Sequence, residues 1–216
     1  MLITLERENS DGKLVVYTGV KGLVSHGNDL KRFLEAEKPE ILLVSISPEE
    51  VTGLAEFVKS PFEMNLSDYE VIYGVRLSKY GEVMTPPPIY IEAITYTAKN
   101  GAKAIGIDMP QEQFDKLYTE SMKSRHLNRH SLRKKRVLNK EYGDSNEYEF
   151  AEAWIKRINS IKGLAEIDAR RASYMSSRIC NFAKNEYNPK HAVIIDYEFF
   201  RPVIENLRKA GWIQRH

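Results

Sequence analysis

Three side chains in this 216-residue sequence have the chemistry for a site: Glu92, Asp108 and Arg171. Asp108 closes the run Ala104–Ile107, a short apolar stretch that suits a strand covered on both faces. Ligands in open α/β sheets sit beyond the carboxyl ends of the strands, so Asp108 is expected to line a cleft. Glu92 lies early in a helix predicted over 89–100. It is either a carboxylate held in an apolar pocket with a raised pKa, hence a general base or gate, or a first-turn glutamate favoured by the helix dipole. Arg170 and Arg171 present planar guanidinium forks and could clamp a carboxylate or phosphate. The alternative for Arg171 is a structural pairing with Asp108 or Glu92 across the cleft, or with Asp168 one helical turn away. The pairing is the preferred reading, because an arginine buried among carboxylates is more often their partner than a catalyst.

The elements that must position these groups follow from periodicity and punctuation. Leu2–Glu6 and Lys13–Tyr17 read as a hairpin joined through Asn9-Ser10-Asp11-Gly12. A glycine-bearing loop, 18–27, follows. Asn28 or Asp29 is the expected cap of a helix that ends before Pro39. Ile41–Ile46 is the next buried strand, and Ser47-Pro48-Glu49-Glu50 opens a helix as a capping box with proline at its first position. The stretch 86–110 supplies a proline-bounded helix, a Gly101 stop and the strand leading to Asp108. From Gln111 about 75 residues pass without a strand signal. Helices are expected from Gln111, over 147–161 and over 166–184, followed by a last strand, His191–Asp196, and a closing helix, Pro202–Ala210. The sequence therefore predicts a single α/β domain over 1–216, a central mixed sheet flanked by helices, with a helical insertion over about 111–162 lying across one edge or mouth.

Composition bounds the function classes. Charged residues make up 29% and hydrophobic ones 42%, enough for an ordinary core, and the formal charge of +2 argues for no polyanionic partner by itself. The single cysteine, Cys180, leaves no internal disulfide and no cysteine-rich zinc site; it is expected as a packed, inert thiol. No signal-peptide pattern and no apolar run of spanning length is present in the sequence, so a cytoplasmic protein without membrane contact is the expectation. Lys123–Lys140 holds eight Lys or Arg and two His with no acid. Such a strip could contact phosphates. No aromatic residue interrupts it to stack on bases, and five acids follow within 141–152, so a solvated helical face is the preferred reading and nucleic acid is not an expected partner. His26 is expected as a solvent-facing loop histidine rather than a ligand. Tyr90, Tyr96, Tyr174 and Tyr197 lie near the predicted cleft without deciding its chemistry.

Read in order, several segments resemble the TraB/PrgY (pheromone-shutdown) family, related to GumN and Tiki proteins and to the EreA/ChaN-like fold. VVYTG, a loop, and a helix running into LEAEKPEILLV resemble that family's opening strand, loop, helix and second strand. IEAITYTAKNGAKAIGIDMP is similar to its glutamate-bearing helix and following strand, AEIDARRASYMSSRI to its arginine-to-methionine helix with Arg171 and Met175 four apart, and HAVIIDYEFFRPVIENL to its last strand, loop and helix. The resemblance implies a TraB-like fold and an ancestral metal-dependent hydrolase acting on peptide bonds. It also implies that the metal chemistry is gone. Gly22, counted from Gly19, stands at the histidine of a Gly-x-x-His motif, and Ser45 at a strand-end glutamate. Asp196-Tyr197-Glu198-Phe199 replaces a Gly-x-Gly-His turn, and Met109 stands for the arginine of the "DRP" turn.

The expected protein is thus a diverged, metal-free member without a cofactor, able to form a homo-oligomer. It would bind a small anionic molecule or a peptide in a cleft made of Gly19, Gly22, Ser45, Glu92, Arg170, Arg171 and Phe199. The alternatives are an active hydrolase working through Glu92, Asp108 and Arg171, and an interaction protein using its basic segment.

Overall fold

The computed structural model describes residues 1–7, 12–123, 145–184 and 190–215. β1 (Leu2–Arg7) and β2 (Lys13–Gly19) pair antiparallel, with Ile3 opposite Val16 and Leu5 opposite Leu14. The other strands are β3 (Ile41–Val44), β4 (Lys103–Gly106), β5 (His191–Asp196) and β6 (Trp212–Arg215). They form one six-stranded mixed sheet in the order β4-β3-β5-β2-β1-β6. β2, β5, β3 and β4 run parallel, and β1 is antiparallel to β2 and β6. All six residues of β5 are buried, as a central parallel strand requires.

Alternation along the strands divides the core into two layers. Leu42, Val44, Ala192 and Ile194 face α1 (Val24–Glu37) and α4 (Pro88–Asn100), where Leu30, Leu34, Ile89 and Ala93 meet them. Val16, Leu43, Val193 and Ile195 face the opposite way, onto Met175 and Ile179 of α7 (Lys162–Ala183) and Phe199 and Val203 of α8 (Tyr197–Lys209). A third cluster sits beyond the end of β2, where Val20 and Leu23 meet α3 (Asp68–Leu77) and α6 (Glu147–Ile158). Its aromatic contacts are tight: the Tyr73 ring lies 5.5 Å from Phe150 and 5.3 Å from Trp154. α6 thus packs at the carboxyl side of the sheet, above the mouth. α2 (Pro48–Lys59) and α5 (Gln111–Ser121) complete the described helices, α5 packing through Leu117 near Ile167 of α7.

Several boundaries differ from the sequence expectation. The Ser47 capping box and the left-handed Gly101 stop (φ 68°) are present, but α1 begins at Val24, so His26 and Gly27 are helical. α7 starts at Lys162 and α6 ends at Ile158. α8 starts at Tyr197, five residues before Pro202, because the Asp196 side chain accepts the Glu198 N–H and caps it. Two elements were not expected: α3, opened by a second capping box in which Ser67 and Glu70 bond reciprocally, and β6, which follows Gly211 at φ +89°.

Candidate functional site at the carboxyl ends of the strands

The chain leaves β2 and β3 toward the α1/α4 layer and leaves β5 toward the α7/α8 layer. Adjacent parallel strands whose connections part to opposite faces open a crevice at their carboxyl ends, and β5 lies between two such neighbours. The residues delivered there are Lys21 after β2, Ser45 after β3, Asp196 and Glu198 at the end of β5, and Asp108 after β4.

Lys21 is the hub. Its Nζ lies 2.6 Å from Glu198 Oε2 and 3.5 Å from Asp196 Oδ2, and sits over the Tyr73 ring at 5.7 Å. Burial works against its charge, but Glu198 and Asp196 more than offset this and its pKa is raised. Asp196 is almost fully buried, and there burial outweighs the attraction of Lys21, so its carboxyl is pushed up to about 6. Ser45 ties the strand ends together: its hydroxyl accepts the Asp196 N–H at 2.9 Å and lies 3.2 Å from the Tyr90 hydroxyl. Burial, with Asp196 and Glu198 close by, raises both Tyr73 and Tyr90 well above the ordinary phenol value. Two buried polar atoms of this cluster, the Tyr73 hydroxyl and Glu198 Oε1, have no hydrogen-bond partner among the described residues.

A second ion pair flanks the first. Arg171 donates through Nε to Asp108 Oδ2 at 2.9 Å and through a terminal nitrogen to the same oxygen, while Asp168 lies 3.9 Å away. Its guanidinium is held between rings, 4.5 Å from the Phe199 centroid and 5.6 Å from that of Phe114. Burial opposes its charge, and Asp108 overcomes this and holds it on. Asp108 also takes the Met109 N–H on its other oxygen. Burial raises the carboxyl of Asp168 despite Arg171.

Of the residues singled out from sequence, Asp108 and Arg171 come together, with Phe199 beneath the guanidinium. Glu92 does not join them. α4 packs on the Leu42/Val44 face and α7 on the Leu43/Val193 face, so the expected cleft shared by Glu92 and Arg171 is replaced by two layers on opposite sides of the sheet. Arg170 is exposed on α7 and pairs with Glu166 at 3.3 Å, one turn away. Gly19 ends β2 against His26 and Ile89, and Gly22 turns at φ +98° beneath Leu77. His26 corrects the solvent-facing expectation: it is 5% exposed, because starting α1 at Val24 turns it inward. Its Nδ1 accepts the Val20 N–H at 2.8 Å, and its Nε2 lies 3.4 Å from both Glu147 and the Tyr148 hydroxyl. Cys180 is half-buried, packed against the core. The basic segment falls almost wholly outside the described residues.

Lys21 and Tyr73 are not among the residues the sequence singles out, and Asp196 and Glu198 enter there only as occupants of the turn after the last strand. The signal was available for two of them: the strand-end rule that selected Asp108 also selects Lys21 and Asp196. Tyr73 had no such signal, because its helix was not anticipated. Among the described residues no group of three or more His, Cys, Asp or Glu is placed to hold a metal ion, and no described helix is long and apolar enough to cross a membrane. No protein-family model matches this chain, and no curated protein matches it.

Proposed function

We propose that this chain is a binding protein that takes a small polar ligand in the crevice around Lys21, Asp196 and Glu198, and that it descends from a TraB-like hydrolase that has lost its metal chemistry. The observation that carries the binding reading is the pair of buried atoms without partners among the described residues, the Tyr73 hydroxyl and Glu198 Oε1, beside a lysine whose side chain is about one-third exposed. Leaving such groups unpaired costs roughly 1–3 kcal/mol each, a cost that a ligand's polar atoms remove. The descent rests on the order of the resembling segments and on Gly22, Ser45 and Phe199 at the family's ligand places.

Of the two ligand classes the resemblance implies, the geometry favours the donor-bearing one, such as a peptide, over a free anion. Both cations are already held: Lys21 by Glu198 and Asp196, and Arg171 by Asp108. The test is a thermal-shift screen of small metabolites and dipeptides against the parent, Tyr73→Phe and Lys21→Met. The expected result is a compound that raises the parent's Tm and acts less on both variants. Hits that stabilise all three proteins equally would place binding elsewhere.

A second reading, a hydrolase, draws on Asp196, whose raised pKa of about 6 suits a general acid or base near neutrality. It departs from the Glu92, Asp108 and Arg171 set, because Asp108 and Arg171 are engaged with each other. Peptide or ester turnover with a pH limb near 6, lost in Asp196→Asn, would support it. Turnover unchanged in that variant would end it.

A further inference from the structure

The loop 20–23 carries Lys21 from the end of β2 to the crevice, and its two ends are held differently. At the far end Gly22, at φ +98°, gives its carbonyl to the Met84 N–H at 2.9 Å, and the Val24 N–H donates to the Glu82 carbonyl at 3.0 Å. At the near end the Val20 N–H donates to His26 Nδ1 at 2.8 Å. Val20 is wholly buried, so bulk solvent does not replace that acceptor if it is lost.

An imidazole that accepts at Nδ1 carries its hydrogen on Nε2, which faces the Glu147 carboxylate and the Tyr148 hydroxyl, each at 3.4 Å. A second proton has only Nδ1 to go to, and both nitrogens of the imidazolium are donors. Protonation therefore sets an N–H against the Val20 N–H. The next residue is Lys21, whose Nζ reaches Glu198 at 2.6 Å and Asp196 at 3.5 Å. The acid side of that cluster is tied to the same ring. His26 stacks on Tyr148 with centroids 5.4 Å apart, Tyr148 meets Tyr197 at 4.8 Å, and Tyr197 stands between Asp196 and Glu198 in the chain.

The groups around the ring set the direction of its response. From α6 come Glu147 and Tyr148; from α1 itself, Asp29, paired with Arg32. The Met1 ammonium, donating to the Thr18 carbonyl at 2.7 Å, lies ahead of β1, and Tyr17 of β2 donates to the His26 carbonyl at 2.6 Å. Burial is the largest influence and lowers the pKa; Glu147 and Asp29 favour the proton, and the Met1 ammonium opposes it. With the ring released to water the value returns toward about 6.5. The held loop is thus favoured above that pH and weakens as pH falls through the lowered value.

We propose that His26 is an acid-released latch on the crevice. Neutral, it holds Val20 and keeps Lys21 on Glu198 and Asp196; protonated, it frees residues 20 and 21, and Lys21 withdraws. Its use to control occupancy of the crevice rests on the binding reading above.

Amide hydrogen exchange and ¹H–¹³C spectra of the full chain at pH 7 and pH 5 test this. Protection of the Val20 amide, corrected for the intrinsic pH dependence of exchange, is expected to fall about tenfold at pH 5 while Val193 and Ile194 of β5 keep theirs. The fall is expected to vanish in His26→Gln, whose side-chain oxygen accepts at both pH values. Asp196 titrates in the same range, so the Lys21 side chain is followed in Asp196→Asn. Its ε-methylene signal is expected to shift between the two pH values there and to stay fixed when His26→Gln is added. If His26→Gln does not fold, Glu147→Gln serves, with the midpoint of the Val20 loss expected at lower pH. Val20 protection that is equal at the two pH values, lost equally in His26→Gln, or lost together with that of β5 overturns the latch. So does a Lys21 shift that survives in the double variant, or a midpoint unmoved in Glu147→Gln. Hits in the thermal screen with a pH-insensitive loop overturn the latch and leave the crevice a binding site. A pH-sensitive loop with no hit keeps the latch and overturns the binding reading.

Discussion

Asp196, His26 and Arg171 each hold a charge or proton whose sign can be read from their surroundings. The carboxyl of Asp196 is raised from 3.8 to about 6, so the folded protein keeps a proton that the unfolded chain has already released between those values. Its contribution to stability is full below about pH 3.8 and is lost as pH rises through about 6. Asp196→Asn keeps an oxygen to cap the Glu198 N–H and removes the buried charge. The variant is expected to be more stable than the parent at pH 8, an advantage that shrinks to nothing below pH 4. Chemical denaturation at the two pH values measures this, and an advantage independent of pH would contradict it.

His26 runs the other way, because burial lowers its pKa despite the nearby Glu147. Its stabilising contribution is present above about pH 6.5 and is lost as pH falls through the lowered value, when a proton on Nδ1 must break the bond from Val20. His26→Gln is expected to flatten the fall in Tm between pH 7 and pH 5. A parallel fall in parent and variant would show that His26 stays neutral or is irrelevant.

Arg171→Met strands Asp108, which is 4% exposed, and is expected to cost about 3 kcal/mol in urea denaturation. A variant melting with the parent would mean that Arg171 is free for a ligand. The Asp108–Arg171 pair was legible in the sequence because strand-end position and guanidinium chemistry each pointed to it. The places of Lys21 and Asp196 follow from the same strand-end rule, but their joining Tyr73 in one buried cluster does not, since that depends on burial by α3 and α6.

Elements in this fold are set by local signals where those signals are self-contained. The Ser47–Glu50 box, the Gly101 stop and the apolar runs of β3 and β5 could be read directly, because each acts through residues three or four positions apart. α3 carries the same box at Ser67–Glu70 yet follows a proline-bearing stretch whose Phe62, Met64 and Leu66 are exposed, and its outward face keeps Val71 and Val75 exposed too, which blurs the helical period. The start of α1 was misplaced for a tertiary reason. Leu23 offers no side-chain cap, and the helix is held there by the Val24 N–H donating to Glu82 and by His26 reaching back to Val20.

Close packing between elements gives a direct test. A Cβ at Gly27 would lie 2.6 Å from Pro88 Cβ and 3.1 Å from the Pro88 carbonyl carbon, where α1 crosses α4. Gly106 is equally tight and faces backbone alone: a methyl group there would stand within 2.7 Å of Ser47 and Pro48 main-chain atoms. Gly106→Ala is expected to cost about 1–3 kcal/mol, more than Gly53→Ala on open α2, where nothing lies within 4 Å. Equal stability of the two variants would mean that β4 and α2 separate freely.

At the scale of the whole molecule, the sheet order places four parallel strand ends side by side and sends their connections to both faces, so the polar cluster sits where the topology opens. The α/β class and the strand sequence could be anticipated from alternating patterns. The strand order could not, because β5 is inserted between β2 and β3 after more than 140 intervening residues. That insertion is what brings Asp196 between Lys21 and Ser45.

Ligand binding is expected at the carboxyl ends of β2, β5 and β3. An assigned amide ¹H–¹⁵N spectrum, titrated with the strongest compound from the thermal screen, addresses it most directly. The predicted result is a set of saturable shifts confined to residues 19–23, 45–47, 72–74 and 195–199, absent for the same amides in Tyr73→Phe at equal ligand. Shifts centred on the amino ends of the strands, or scattered over the outer faces of α1 and α2, would contradict it.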